Sequence, residues 1–389
     1  MVLSDKQLET LARENGTPLF VYDQAYLQDR ADLLVGLEAK LPFGFTPRFA
    51  AKANMYPGII ELFDEAGLGF DAGSSHEAME LIQLGVDGQK ISLSSQQPAD
   101  NLAELLESKV NYIATSLHQL ELFAEAAGRG AKVGLRVNPG LGAGHNNRTT
   151  TGGANSSFGL WNAYLSQALQ LAKDKGLTIN KLHVHIGSGA DPLVWRATIE
   201  TALELVEQMP DVAVLNLGGG YKIHRFGDER EADMDEIIDV FAEELRAFAD
   251  QTDRQLHLEI EPGTWLTGHS GVLLSQIQDI VDTGPDGHYF LRLDTGMNDF
   301  IRPSMYGAQH DIKVLNGSKE TRDYVVVGHN CETGDILTPA PGDPEGIEPR
   351  QLNEAAIGDL IAIYDCGAYC ASFSAHGYNS YPDAKQILV

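Results

Sequence analysis

The sequence predicts an α/β fold, a (β/α)8 TIM-like barrel joined to a C-terminal β domain. Three observations carry that expectation. Eight short apolar runs alternate with stretches of helical period, the pattern of repeated βα units. No glycine-rich turn follows the first of the eight, where "AKANMYPG" stands, and the alternative fold, an open doubly wound sheet, prefers one there. Beyond about residue 268 the strand-like runs continue with little helical pattern between them.

A first apolar run, "PLFVYD", precedes the repeats. The eight candidate strands then follow in order as "RFAAK", "LGFDA", "KISLS", "NYIAT", "KVGLRVN", "KLHVHIG", "VAVLNLG" and "LHLEIEP". Amphipathic segments such as "PGIIELFDEAG", "SSHEAMELIQLG" and "ADMDEIIDVFAEELRAFADQ" separate most of them, and several end in glycine, a helix stop. The later runs "GVLLSQIQDIVDT", "HYFLRLDTG", "DYVVVGHNC" and "DLIAIYDCGAY" make the β domain. Between barrel strands lies one long polar stretch, Gly140 to Gly159, with the character of a lid or of a disordered loop. "PAPGDPEG", Pro339 to Gly346, is expected as a surface loop.

The chain has 389 residues, 43% of them hydrophobic, enough for a barrel plus a smaller module. Its formal net charge of -27 repels phosphate backbones and anionic membranes, which argues against nucleic-acid and membrane partners. Three cysteines, Cys331, Cys366 and Cys370, are too few and too clustered for a disulfide framework. The Cys366-x3-Cys370 spacing lacks the further ligands of a zinc site, so no metal is expected. The charged N-terminus has no apolar signal core, and a cytoplasmic protein is expected.

Barrels of this kind do their chemistry at the C-terminal strand ends. There stand Lys52, Asp71, Ser94, Asn138, His185, Gly218 and Glu261. Lys52, flanked by alanines in "RFAAKAN", is expected at the rim, desolvated and lowered in pKa, so that its amine attacks an aldehyde. A lysine that snorkels its head into water is the plain alternative. "HVHIGSG" brings His185 and Ser188 to one mouth; a satisfied core histidine is the other reading. "LNLGGGY" offers Gly218, Gly219 and Gly220, whose bare amides suit a phosphate or a tight turn. "EIEPGTW" ends a strand in Glu261, a carboxylate that needs a cationic or protonated partner, and Glu259 is a candidate for an ion pair inside the barrel. Amine, imidazole, glycines and carboxylate together suit pyridoxal phosphate. A metal-dependent hydrolase is the rival from chemistry alone, with "HVH" its one hint.

The motifs "AKAN", "RVNPG", "HVHIGSG", "LGGGY", "EPGTW", "RPSMYG", "CETGD" and "GAYCASFSAHGYNSYP" come in the order and spacing of a known family. In them the chain resembles the fold-type III pyridoxal-phosphate decarboxylases, and among these the bacterial diaminopimelate decarboxylase group. The resemblance implies an alanine racemase-like barrel over residues 29–267, with 1–28 and 268–389 forming the β domain. It implies pyridoxal 5'-phosphate as cofactor and a small amino acid as substrate. The activity implied is decarboxylation, with meso-diaminopimelate giving L-lysine. A related carboxylated diamine, or a regulatory protein without turnover, remains an alternative.

By motif, Lys52 would form the imine with the cofactor, His185 would stack on its ring, and Glu261 would face the ring nitrogen. Asp71 would lie beside it. Ser188, Gly218 to Gly220, Gly263 and Tyr369 would hold the phosphate. The resemblance also implies a homodimer whose site is shared, with Cys331 supplying a proton and Glu332 binding the distal amine from the partner chain. Arg302 and Tyr306, with Tyr369 near by, would bind the distal end of the substrate. Thr264 stands where the family's "EPGR" carries a second carboxylate-binding arginine, and Arg148, in the polar loop, is a candidate replacement.

Overall fold

The structure, a computed structural model, describes residues 3–140, 142, 152–227 and 229–389. A short strand, β1 (Leu19–Tyr22), precedes a closed barrel of eight parallel strands. Its staves are β2 (Phe45–Ala50), β3 (Gly69–Ala72), β4 (Ile91–Leu93), β5 (Asn111–Ala114), β6 (Lys132–Asn138), β8 (Thr178–His183), β9 (Val214–Asn216) and β10 (His257–Ile260). The two-residue β7 (Leu160–Trp161) pairs with the end of β6. Closure comes from β10 beside β2, with Leu258 opposite Phe45. Alternation sets what faces where. Phe49 of β2 meets Phe63 of the helix Pro57–Glu65 edge-on, with ring centroids 4.8 Å apart, while its neighbour Arg48 turns into the barrel.

The barrel interior holds a buried charged layer beneath the mouth. Arg48 donates to Glu259 Oε1 at 2.7 Å, and Lys181 Nζ donates to both Glu259 oxygens at 2.9 and 2.7 Å. Gly69 makes room for this layer, since a Cβ there would lie 2.9 Å from Arg48 Nη1. Burial pushes the Glu259 carboxyl up, but Arg48 and Lys181 outweigh it and hold the group at about 2. A carboxylate depressed on folding stabilises the fold above its unfolded pKa of about 4.3 and loses that contribution as pH falls towards 2. The shift corresponds to about 3 kcal/mol. In urea unfolding, Glu259→Gln is therefore expected to be less stable than the parent near pH 7, with the gap shrinking as pH drops from about 4.3. A gap that stays constant from pH 7 to about 3 would reject this account.

The second sheet has eight strands, mostly antiparallel. Its members are β11 (Gly271–Asp282), β12 (Tyr289–Leu293), β13 (Ile312–Val314) and β14 (Thr321–Val327), and, beyond a small hairpin of β15 (Pro339–Ala340) and β16 (Asp343–Ile347), β17 (Arg350–Asn353), β18 (Leu360–Ile363) and β19 (Lys385–Leu388), together with β1. β1 lies between β11 and β19, antiparallel to the first and parallel to the second. The sheet thus joins β1, from before the barrel, to strands that follow it. Helix Gln24–Gly36 then runs unbroken across the boundary expected after residue 28 and into the shell of the barrel.

Several elements differ from the sequence expectation. β2 starts at Phe45 and stops at Ala50, so Lys52 sits on a 3-10 turn, Ala51–Ala53, rather than on the strand. "PAPGDPEG" is not a loop but the β15–β16 hairpin, with Gly342 at φ +71 making its turn. Helix Asp5–Asn15 was not anticipated, although Ser4 and Gln7 cap its start reciprocally. Most of the expected lid, with Arg148, lies outside the described residues.

Candidate active site

The mouth gathers residues from several strand ends. Lys52 Nζ donates to Asp71 Oδ2 at 3.0 Å, and the lysine side chain is 47% exposed, open to the cup. Asp71 is buried, and its second oxygen, Oδ1, has no partner among the described residues. Burial works against the Lys52 cation, but Asp71 first, and other acids after it, raise its pKa above the usual lysine value. This corrects the expectation of a lowered pKa: the carboxylate of Asp71 stabilises the charge that desolvation disfavours.

Glu261 follows β10 directly and is buried. His183 Nε2 lies 3.2 Å from its Oε2, and Asn216 Nδ2 donates to its Oε1 at 2.7 Å. Burial would raise this carboxyl, yet His183 and then Lys52 bring it below the usual carboxylate range. Asp71 moves the other way, raised by burial and by Glu261 against the pull of Lys52. His185 is held as a neutral ring, pushed down by burial, then by Arg136 and Lys52.

The glycine loops interlock. Gly218 and Gly220 have φ of +69 and +106, which favour glycine. A Cβ on Gly220 would meet the Gly187 carbonyl oxygen at 1.7 Å and Ser188 Cα at 2.9 Å, so the "IGSG" and "GGG" loops press together. Gly189 donates to the Gly220 carbonyl at 3.0 Å, while the amides of Gly219 and Gly220 make no backbone bond among the described residues. Across the mouth, a Cβ on Gly263 would lie 3.2 Å from the Tyr369 hydroxyl and 2.9 Å from Ala53 Cβ. Burial raises the Tyr369 phenol and keeps it neutral.

The segment around Tyr369 also clasps the lysine turn. Tyr369 donates to the Ala53 carbonyl at 2.8 Å, and Ser372 Oγ donates to the Lys52 and Ala53 carbonyls, each at 2.9 Å. Asn54 Nδ2 donates to the Gly367 carbonyl at 3.0 Å.

Cys331 and Glu332 stand apart. Both are exposed, and neither bonds to the Lys52 group among the described residues. The Cys331 amide donates to Asn379 Oδ1 at 2.7 Å. Asp335, which closes the same "CETGD" motif, accepts from the Met297 and Asn330 amides at 2.7 and 2.9 Å and so fixes the loop. Arg302 and Tyr306 share the short helix Arg302–Tyr306, and Tyr306 stacks on Phe373 with centroids 6.1 Å apart.

Two residues of the mouth went unnoticed in the sequence. Asn216 links Glu259, Glu261 and, through its Oδ1, the Gly218 amide at 2.8 Å. Its place two residues before Gly218, on the inward side of β9, was the available signal. Arg136, buried on β6, donates to Ser94 Oγ at 3.3 Å and lies over the Phe158 ring.

Residues 36–268 match the pyridoxal-binding domain of the pyridoxal-dependent decarboxylases. The chain belongs to that family. Among curated relatives of this pyridoxal-dependent decarboxylase, the diaminopimelate decarboxylase of Streptomyces coelicolor is 32% identical over 398 residues, spanning 100% of this chain and 88% of the relative. That of Escherichia coli K12 is 31% identical, over 99% of this chain and 92% of its own. A solved diaminopimelate decarboxylase superposes with a TM-score of 0.91 at 30% identity, covering 100% of this chain and 92% of that one. The Helicobacter pylori enzyme, solved with L-lysine, gives 0.84 at 25% identity, over 98% and 94% of the two chains.

Proposed function

We propose that this decarboxylase removes a carboxylate from meso-diaminopimelate and leaves L-lysine, with pyridoxal 5'-phosphate held at the barrel mouth. One observation carries the reading: the Lys52 amine, 3.0 Å from a buried Asp71 with a free oxygen, opens into the same cup as an ionised Glu261. That donor set fits an aldehyde and a pyridine nitrogen. Lys52 would anchor the cofactor through its amine, His185 would support its ring and Glu261 would keep its ring nitrogen protonated. Ser188, Gly218, Gly219, Gly220, Gly263 and Tyr369 would take the phosphate. Bound there, the cofactor supplies the electron sink for the carbon that loses its carboxylate. Residues 29–267 form the cofactor-holding barrel, and 1–28 with 268–389 the β domain.

The site is completed by a second copy of the chain. Cys331 of the partner subunit delivers the proton that replaces the lost carboxylate, and Glu332 of the partner subunit binds the distal amine. The exposure of both residues in one chain, beside Tyr378 and Tyr381, each 37% exposed, supports this arrangement. Arg302, Tyr306 and Thr264 face the distal end of the substrate. We place the activity in the cytoplasm, where three free thiols persist. A related carboxylated diamine is the second reading, favoured by Thr264 in place of an arginine.

The test is release of carbon dioxide and L-lysine from meso-diaminopimelate, with lysine and ornithine as comparison substrates. Borohydride reduction of the holoenzyme is expected to leave a pyridoxyl adduct on Lys52. An adduct mapped instead to Lys90 or Lys222 rejects the assignment.

A further inference from the structure

The loop after the triple glycine runs beside Thr264. A Cβ on Gly268 would lie 2.3 Å from Ile223 Cδ1 and 3.5 Å from Thr264 Cγ2, so these two side chains border the same spot. Two residues beyond Ile223 comes Arg225. Its amide donates to Glu229 Oε2 at 3.0 Å, which anchors the loop. Its guanidinium is different: Nε and Nη2 are buried and meet no acceptor among the described residues. Arg302 Nε is buried without an acceptor as well.

The two arginines lie within electrostatic reach of each other. Burial, then the charge of Arg302, brings Arg225 down to about 10, and the carboxylates of Glu229 and Asp365 act on it less than Arg302 does. After burial itself, these same two arginines press the His310 imidazole towards its neutral form. Arg302 also acts on the Tyr369 phenol, after burial and Lys52, which ties the pair to the cup. Two buried like charges with unfilled donors are unfavourable unless an anion lies between them.

We propose that Arg225 supplies the second charge of the clamp that Thr264 gives up, so that Arg225 and Arg302 together hold the distal carboxylate of a dicarboxylic amino acid. The charge has moved from the turn after β10 to the loop after β9. The proposal rests on the substrate reading above. It also gives Thr264 a reason: an arginine there would crowd a third cation against these two.

The experiment uses the holoenzyme. Arg225→Ala is expected to raise KM for meso-diaminopimelate about 10- to 100-fold with little change in kcat. Arg302→Ala is expected to act in the same direction. The visible absorbance of the bound cofactor should not change in Arg225→Ala, while calorimetric binding of the dicarboxylate pimelate should be lost. Arg225→Ala combined with Thr264→Arg should recover part of both KM and pimelate affinity, a result that a merely structural arginine does not give. Arg225→Gln, closer in shape, carries the same test should the alanine variant not fold.

Unchanged KM and pimelate affinity in a parent that decarboxylates meso-diaminopimelate would overturn the clamp and leave the substrate standing. Loss of cofactor from Arg225→Gln would assign the residue to the cofactor and overturn the clamp too. A parent that releases carbon dioxide only from amino acids without a distal acid would overturn the substrate reading, and the clamp with it.

Discussion

Lys52→Ala is expected to lower turnover by at least about 10³-fold. The substitution removes the amine proposed to anchor the cofactor, and the proton that Nζ holds 3.0 Å from Asp71. It also leaves a buried carboxylate without its cation, so Asp71 should take up a proton more readily in the variant. The fold should survive, because the Lys52 head is open to the cup and the turn is held through its backbone by Ser372 and Tyr369. Steady-state kinetics beside far-ultraviolet circular dichroism check both halves. A folded variant that keeps a tenth of parental kcat would remove Lys52 from the chemistry.

Cys331→Ala is the second large effect, expected at about 10²-fold or more on kcat, since it deletes the proton donor proposed for the shared site. Its companion experiment bears on the architecture. In a mixture of Lys52→Ala and Cys331→Ala subunits, each heterodimer holds one site with both residues intact and one with neither. Random exchange therefore restores about a quarter of parental activity if the site is shared across a two-fold interface. Flat activity after exchange has been verified by mass would mean that each chain builds its site alone.

The barrel was legible because its strands are buried on both faces and so carry unbroken apolar runs. "KVGLRVN" and "LHLEIEP" announce β6 and β10 with little ambiguity. Strand ends were less legible. Lys52 looked like the end of a strand because small residues surround it, whereas hydrogen bonds to its neighbours from the far end of the chain hold it in a turn. Its protonation could not be read from neighbours in sequence, since the deciding charge, Asp71, sits on the next strand. Asn216 escaped for a related reason: two of its three bonds reach Glu259 and Glu261 across the pairing of β9 with β10, and only the third, from the Gly218 amide, is local. Arg225 lies in the polar run "KIHRFGDER", and its unfilled guanidinium appears only once burial is known. Of the β domain, the long strands were plain from their β-branched runs, but the three-residue β13 and the exposed β16 and β17 carry too few apolar positions to be told from turns.

The clasp on the lysine turn spans 320 residues of sequence, from Lys52 to Ser372. Synthesis on the ribosome runs from the N-terminus, so Lys52 emerges well before the residues that restrain its turn. A nascent chain that already holds all eight staves still has an unfastened turn at Lys52, and β1 still lacks its parallel neighbour, β19. Contacts so distant in sequence also close slowly, because a long loop must be ordered before they form. The cup is therefore finished only once the segment around Tyr369 and Ser372 has been made. An unfinished or C-terminally clipped chain carries the Lys52 amine without the hydrogen bonds from Ser372 and Tyr369 that hold its turn.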